Sequence, residues 1–199
     1  MAKSAQCLLW VDLETTQLPG PKNDYSDVHI LEVAFILTDF DLKPYEGYHE
    51  AIKLTKPAAD SLRRNDFTRE MHAKNGLIRD CRDSTVTLEE AEAEVIQMIK
   101  DKTTFDKGEI MLAGSGNAAF DRPVLNQWMP NLVSYLTYYP FDIGVDRRVG
   151  SILAGQEVIN VPAASTGSGG AKVHRAWNDV QAHIEEARRK REWYRTVTA

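Results

Sequence analysis

Three apolar runs near the start of the chain carry strand patterning: "CLLWVDLE" from Cys7, "HILEVAFILTD" from His29 and "GYHEAIKLT" from Gly47. A turn around "DLKPYEG" separates the last two, and such short connections predict an antiparallel meander. The polar stretch from Pro57 to Gly76 predicts two short helices, the second opening at Thr68 and closing at Gly76, a residue suited to a helix C-terminus. "TLEEAEAEVIQMIKD" is the clearest helix. Thr87 and Glu90 have capping-box spacing, and Leu88, Ala91, Val95, Met98 and Ile99 form its apolar stripe. Beyond it, "EIMLAGSG" reads as a buried strand, "AFDRPVLNQWM" as a helix, "YYPFDIG" as a short strand, "DRRVGSILAG" as a short helix and "AWNDVQAHIEEARRKREWYR" as the closing helix. A meander followed by alternating helices and strands predicts an α/β fold: a mixed sheet, antiparallel meander plus parallel strands, flanked by helices.

Two carboxylates interrupt the first run. In "LLWVDLETTQL" Asp12 and Glu14 are two residues apart, so on a strand they share a face a few ångströms from one another. Like charges that close need a shared proton, an arginine or a cation. Alone, a D-x-E is more often a pair of solvated acids at a strand end. Here Leu13 continues the buried face, and "TTQLPG" breaks the strand only afterwards. The acids therefore stand at the carboxyl end of the strand, where open α/β sheets place their ligands.

A second motif, "GNAAFD", carries Asp121 and follows the predicted strand "EIMLA". Asn117 is suited to cap the coming helix, and Asp121 falls in its first turn, where the helix dipole favours a carboxylate. A third group, "HRAWND", has His174 five residues before Asp179. Five residues on one helix do not share a face, so the useful geometry has His174 on a loop and Asp179 in the helix after it. The Gly/Ser-rich stretch "PAASTGSGGA", Pro162 to Ala171, is suited to be that loop.

Composition narrows the function classes. The chain has 199 residues, 43% hydrophobic, enough for one domain spanning 1–199 with a substantial core. A net charge of -5 argues against a protein that coats long nucleic acid through many phosphate contacts. It leaves room for a small pocket in which cations supply the positive charge locally. The two cysteines, Cys7 and Cys81, form neither a disulfide framework nor a zinc spacing and read as plain thiols. "MAKSAQCLLWVDLE" matches neither a secretory signal nor a membrane span, so a cytoplasmic protein is expected.

In order along the chain, D-x-E, N-x-x-F-D and H-x-x-x-x-D resemble the three motifs of the D-E-D-D exonuclease superfamily in its His-containing branch, which has the ribonuclease H-like fold. Within it the chain resembles the oligoribonuclease family. "WVDLETTQL" is similar to that family's first motif, "NGL" at Asn75–Leu77 to its "SGL", and "PNLVSYLTYY" to its segment before the next strand. The resemblance covers nearly the whole chain. It implies a metal-dependent 3′-to-5′ exonuclease that hydrolyses short single-stranded RNA to nucleoside 5′-monophosphates. Asp12, Glu14, Asp121 and Asp179 are the implied ligands of two Mg²⁺ or Mn²⁺ ions, and His174 is the implied general base. Four carboxylates without a compensating lysine suit such hard cations. Leu18 matches the family's apolar wedge between bases, Phe67 its base-stacking tryptophan, and Tyr138 a tyrosine closing over the terminal phosphate from a partner subunit; Asn117 joins these as a substrate-binding candidate. His72 falls on a family histidine to which no role is assigned. Homodimerisation is implied by the same resemblance. Tyr139 and Gly144 replace an arginine and a serine or threonine, so strict preference for dinucleotides does not follow. "GNAAFD" is closer to the proofreading exonucleases of DNA polymerases, which keeps single-stranded DNA as an alternative substrate. A non-catalytic binding module would be expected to have lost a ligand or the base, and all five residues are present.

Overall fold

The structure, a computed structural model, describes residues 7–104, 107–154 and 174–197. The Gly/Ser stretch expected as a loop lies outside the described residues. The run that carries Asp12 and Glu14 is strand β1 (Cys7–Thr15). Antiparallel to it lies β2 (Ile30–Thr38), and antiparallel to β2 lies β3 (Pro44–Ala51), completing the expected meander. On the other side β4 (Ile110–Gly114) pairs with β1 in parallel, and β5 (Phe141–Asp142) pairs in parallel with β4. The sheet order is β3-β2-β1-β4-β5, so β1 is central.

Burial on both faces explains why β1 and β2 are near-continuous apolar runs. Leu9, Val11 and Leu13 pack with Val33 and Phe35 on one face, beneath the helices that follow β3 and β4. Leu8 and Trp10 lie on the other face with Ala34 and Ile36, covered by Ala176, Val180 and Ile184 of the closing helix. Asp12 and Glu14 continue this second face, so the closing helix lies over the carboxylates as well. The β1–β2 register shifts between Glu14 and Thr15: Glu14 faces Glu32, whereas Thr15 faces Ile30. The extra residue, Leu31, turns into a separate cluster with Leu62, Leu77, Ile78 and Cys81.

The helices are α1 (Lys56–Arg64), α2 (Asp66–Lys74), α3 (Leu77–Asp83), α4 (Leu88–Lys102), α5 (Asp121–Trp128), α6 (Pro130–Val133), α7 (Ile143–Ala154) and α8 (Ala176–Val197). The Thr87/Glu90 capping box forms at α4 as expected. Some elements differ from the sequence pattern, several of them because a polar group takes an unforeseen partner. The third strand begins at Pro44 and ends at Ala51, not Thr55, because the Thr55 side chain accepts the Ala58 N–H at 3.4 Å and starts α1. The second helix opens at Asp66 rather than Thr68, since the Asn65 side chain caps it by accepting the Thr68 N–H. Two short helices, α3 and α6, were not expected; the buried Glu92 carboxylate receives the Leu132 N–H of α6 at 2.9 Å. Asn117 does not cap α5: its side chain is fully buried and donates to the Phe141 carbonyl at 3.3 Å, while Phe120 occupies the cap position. Both cysteines are buried free thiols. Among the described residues no helix is long and apolar enough to cross a membrane.

Candidate active site

β4 stays beside β1 only as far as Trp10 and Ala113, and the chain then turns away. Gly114 makes that departure possible: a Cβ there would meet the Val11 carbonyl oxygen at 2.7 Å. Beyond this point the β1 edge is open, and α5 begins in the space a longer β4 would have filled. The Leu13 N–H therefore has no strand partner on that side, and the Asp121 carboxylate receives it. This one contact brings the second motif onto the first. It sets Asp121 against the residue between Asp12 and Glu14.

The third motif arrives from the α8 side. Ligand atoms of Glu14, His174 and Asp179 all lie within 4.8 Å of one another. As expected, His174 precedes α8 and Asp179 stands in its first turn. Glu14, Asp121 and Asp179 are all buried, with Asp121 only 5% exposed. Burial, together with the charge of nearby Asp142, pushes the Asp121 carboxyl up to about 7, although its backbone hydrogen bonds oppose the shift. Two buried acids, Glu14 and Asp179, beside His174 around one point fit a hard divalent cation, which takes oxygen ligands and removes their repulsion; Asp12 and Asp121 stand outside this group of three.

Residues to which the sequence reading assigned no role at the site hold it in shape. His72 is fully buried beneath it; its Nε2 donates to the Thr15 carbonyl at 3.0 Å and lies 3.8 Å from Glu14 Oε2. Its pKa is lowered, chiefly by burial, although the Thr15 carbonyl and the Glu32 charge oppose the shift. Asp142 gathers four backbone N–H groups: Gly116, Gly144 and Val145 on Oδ1 and Ala118 on Oδ2. It thereby ties the loop before α5 to the start of α7. This explains Gly144, where a Cβ would meet Ser115 Oγ at 2.9 Å and Asp142 Oδ1 at 3.1 Å. Glu32, opposite Glu14 on β2, is fully buried and binds His49, Arg175 and the Ala176 N–H. Burial raises its pKa, but the hydrogen bonds and the Arg175 charge outweigh this and hold it below the ordinary value. A charge in the middle of "ILEVAFILT" was the available signal, the same one that singled out Asp12 and Glu14.

The substrate candidates separate by exposure. Leu18 (74% exposed) and Phe67 (79%) project into solvent, so neither is a core residue. Tyr138 and Tyr139 are also exposed and meet edge to face at 4.8 Å. Asn117 is buried, and its contact with Phe141 gives it a loop-fixing position rather than a surface one.

Comparison with known proteins gives the family and the fold. Mitochondrial oligoribonuclease of Bos taurus is 32% identical over 92% of this chain and 70% of its own length. A probable oligoribonuclease of Dictyostelium discoideum is 33% identical over 90% of this chain and 85% of its own. The chain belongs to the oligoribonuclease family. Oligoribonuclease of Halorhodospira halophila, 30% identical, is covered over 92% of each chain, so the family likeness extends to nearly full length. No protein-family model matches the chain. Among solved structures, exonuclease I of Methylocaldum szegediense superposes with a TM-score of 0.60 at 20% identity, over 94% of this chain and 41% of that one. The zinc-bound E. coli exonuclease I complex with single-stranded DNA gives 0.59 at 17% identity. This chain spans about two-fifths of exonuclease I and shares its ribonuclease H-like fold.

Proposed function

We propose that this member of the oligoribonuclease family is a divalent-metal-dependent 3′-to-5′ exoribonuclease that hydrolyses short single-stranded RNA to nucleoside 5′-monophosphates, with Asp12, Glu14, Asp121 and Asp179 holding two Mg²⁺ or Mn²⁺ ions. Family membership supports the reaction class. The convergence of Glu14, His174 and Asp179 within 4.8 Å carries the site assignment. When bound, the cations supply positive charge opposite the oxygens of the phosphate being cut. A ring nitrogen of His174 takes the proton of the attacking water, a task suited to an imidazole near neutral pH. Leu18 and Phe67 offer the apolar surfaces against which terminal bases stack, a contact that accepts any base. Homodimerisation belongs to the same reading. It is supported by the outward apolar residues Val145, Val149 and Ile152 on α7 and by exposed Tyr138, the residue expected to reach a partner's site.

A DNA substrate is the second reading, favoured by the exonuclease I likeness, whose E. coli member is solved with single-stranded DNA. One experiment separates them. 5′-Labelled RNA and DNA from dinucleotides upward are incubated with Mg²⁺ or Mn²⁺, with Asp12→Ala as control. Stepwise shortening of short RNA, lost in Asp12→Ala, is expected. Equal or faster shortening of DNA would favour the second reading, and undiminished cutting by Asp12→Ala would remove the site assignment.

A further inference from the structure

The peptide that carries His174 is held from three elements at once. His174 has φ 45°, in the left-handed region that a residue with a Cβ seldom adopts. Its carbonyl accepts the Asn75 side-chain N–H at 2.6 Å, from the end of α2. The next residue, Arg175, donates through Nε and Nη2 to Glu32 Oε1, both at 2.8 Å, and through Nη1 to Asp80 on α3 at 3.0 Å. The residue after that, Ala176, gives its N–H to Glu32 Oε2 at 2.9 Å. Glu32 is fully buried on β2, where the rest of the strand is almost wholly apolar. Desolvating a carboxylate is costly, and an apolar residue would serve packing better. What an apolar residue could not do is bind, on two oxygens of a buried interior strand, the two residues that follow His174.

We propose that Glu32 is a positioning residue for His174: through Arg175 and the first N–H of α8 it fixes the strained peptide that aims the imidazole at Glu14 and Asp179. The proposal rests on the reading of His174 as the proton acceptor. Glu32 touches neither substrate nor metal in this assignment, and Glu14, its neighbour across the ladder, serves the metal instead.

The test is a double-mutant cycle between Glu32→Gln and His174→Ala on short RNA at saturating Mn²⁺, with kcat and KM measured separately and folding checked by circular dichroism and thermal melting. Glutamine keeps the volume but sets an amide against a donor and removes the charge. Glu32→Gln is expected to lower kcat by about tenfold or more with KM within about threefold, and to cost less than about twofold once His174 is already alanine. Arg175→Lys, which keeps the charge and loses the fork, should follow the same pattern, and it serves in place of Glu32→Gln if that variant does not fold. Equal losses in both backgrounds would overturn the proposal, because Glu32 would then act on the fold or the metal site. So would an unchanged kcat in Glu32→Gln while His174→Ala remains costly, and that pattern leaves the His174 reading standing. A harmless His174→Ala would overturn both.

Discussion

His174 and Asp121 show two ways in which surroundings give a side chain its chemistry. His174 is held in a left-handed conformation beside two carboxylates, with its carbonyl bound by Asn75. Replacing it with alanine should lower kcat by about 10² to 10⁴, the usual worth of a positioned general base. A steady-state rate series on short RNA checks this, and a loss below about tenfold would mean that water is activated without it. Asp121 is legible in the sequence as part of a motif, but not its partner: no pattern announces that β4 stops short and leaves the Leu13 N–H for it. Glu32 and His72 were harder still. Their partners are remote in sequence: Arg175 and Ala176 bind Glu32, and the Thr15 carbonyl binds His72.

At the scale of elements, amphipathic period and turn residues located every strand and the longer helices, because these signals are local. Boundaries set by side-chain capping from a neighbour were not legible, as at Asn65 and Asp142, nor were helices of one or two turns such as α3 and α6. The capping box of α4 was, and it yields a clean test. Thr87→Ala should destabilise the protein by about 0.5–2 kcal/mol, measured by urea unfolding, and leave kcat unchanged because α4 lies on the sheet face away from the carboxylates. The α8 contact is more demanding. Gly47 on β3 leaves room for Trp177, whose Cη2 would stand 2.7 Å from a Cβ. Gly47→Ala should cost about 1–3 kcal/mol by overpacking. Because the displaced ring is two residues from Asp179, it should also weaken Mn²⁺ binding measured by titration calorimetry; unchanged affinity would show that α8 yields elsewhere.

The whole molecule registers the acid cluster as a dependence of stability on pH and metal. Asp121 has its folded pKa raised to about 7 from 3.8, so the metal-free fold binds the extra proton between those values. Its stabilising effect is present below about 4 and is lost as pH rises through about 7. His72 works in the opposite sense: in the metal-free fold its lowered pKa removes stability as pH falls below 6.5. Thermal midpoints in chelator and in excess Mg²⁺, compared across this range, isolate the carboxylate. The stabilisation by Mg²⁺ should grow from acid to neutral pH, and a constant difference would contradict the proposed ligand set.

Among the described residues β1 is the first strand and α8 the last helix, yet the assigned site needs both. A growing polypeptide on the ribosome, surrounded by RNA, carries Asp12 and Glu14 long before Asp179 exists. On the assignment proposed above, the enzyme cannot cut until its closing helix has been made and laid across the central strand. On that assignment, synthesis order alone would withhold activity from an unfinished chain.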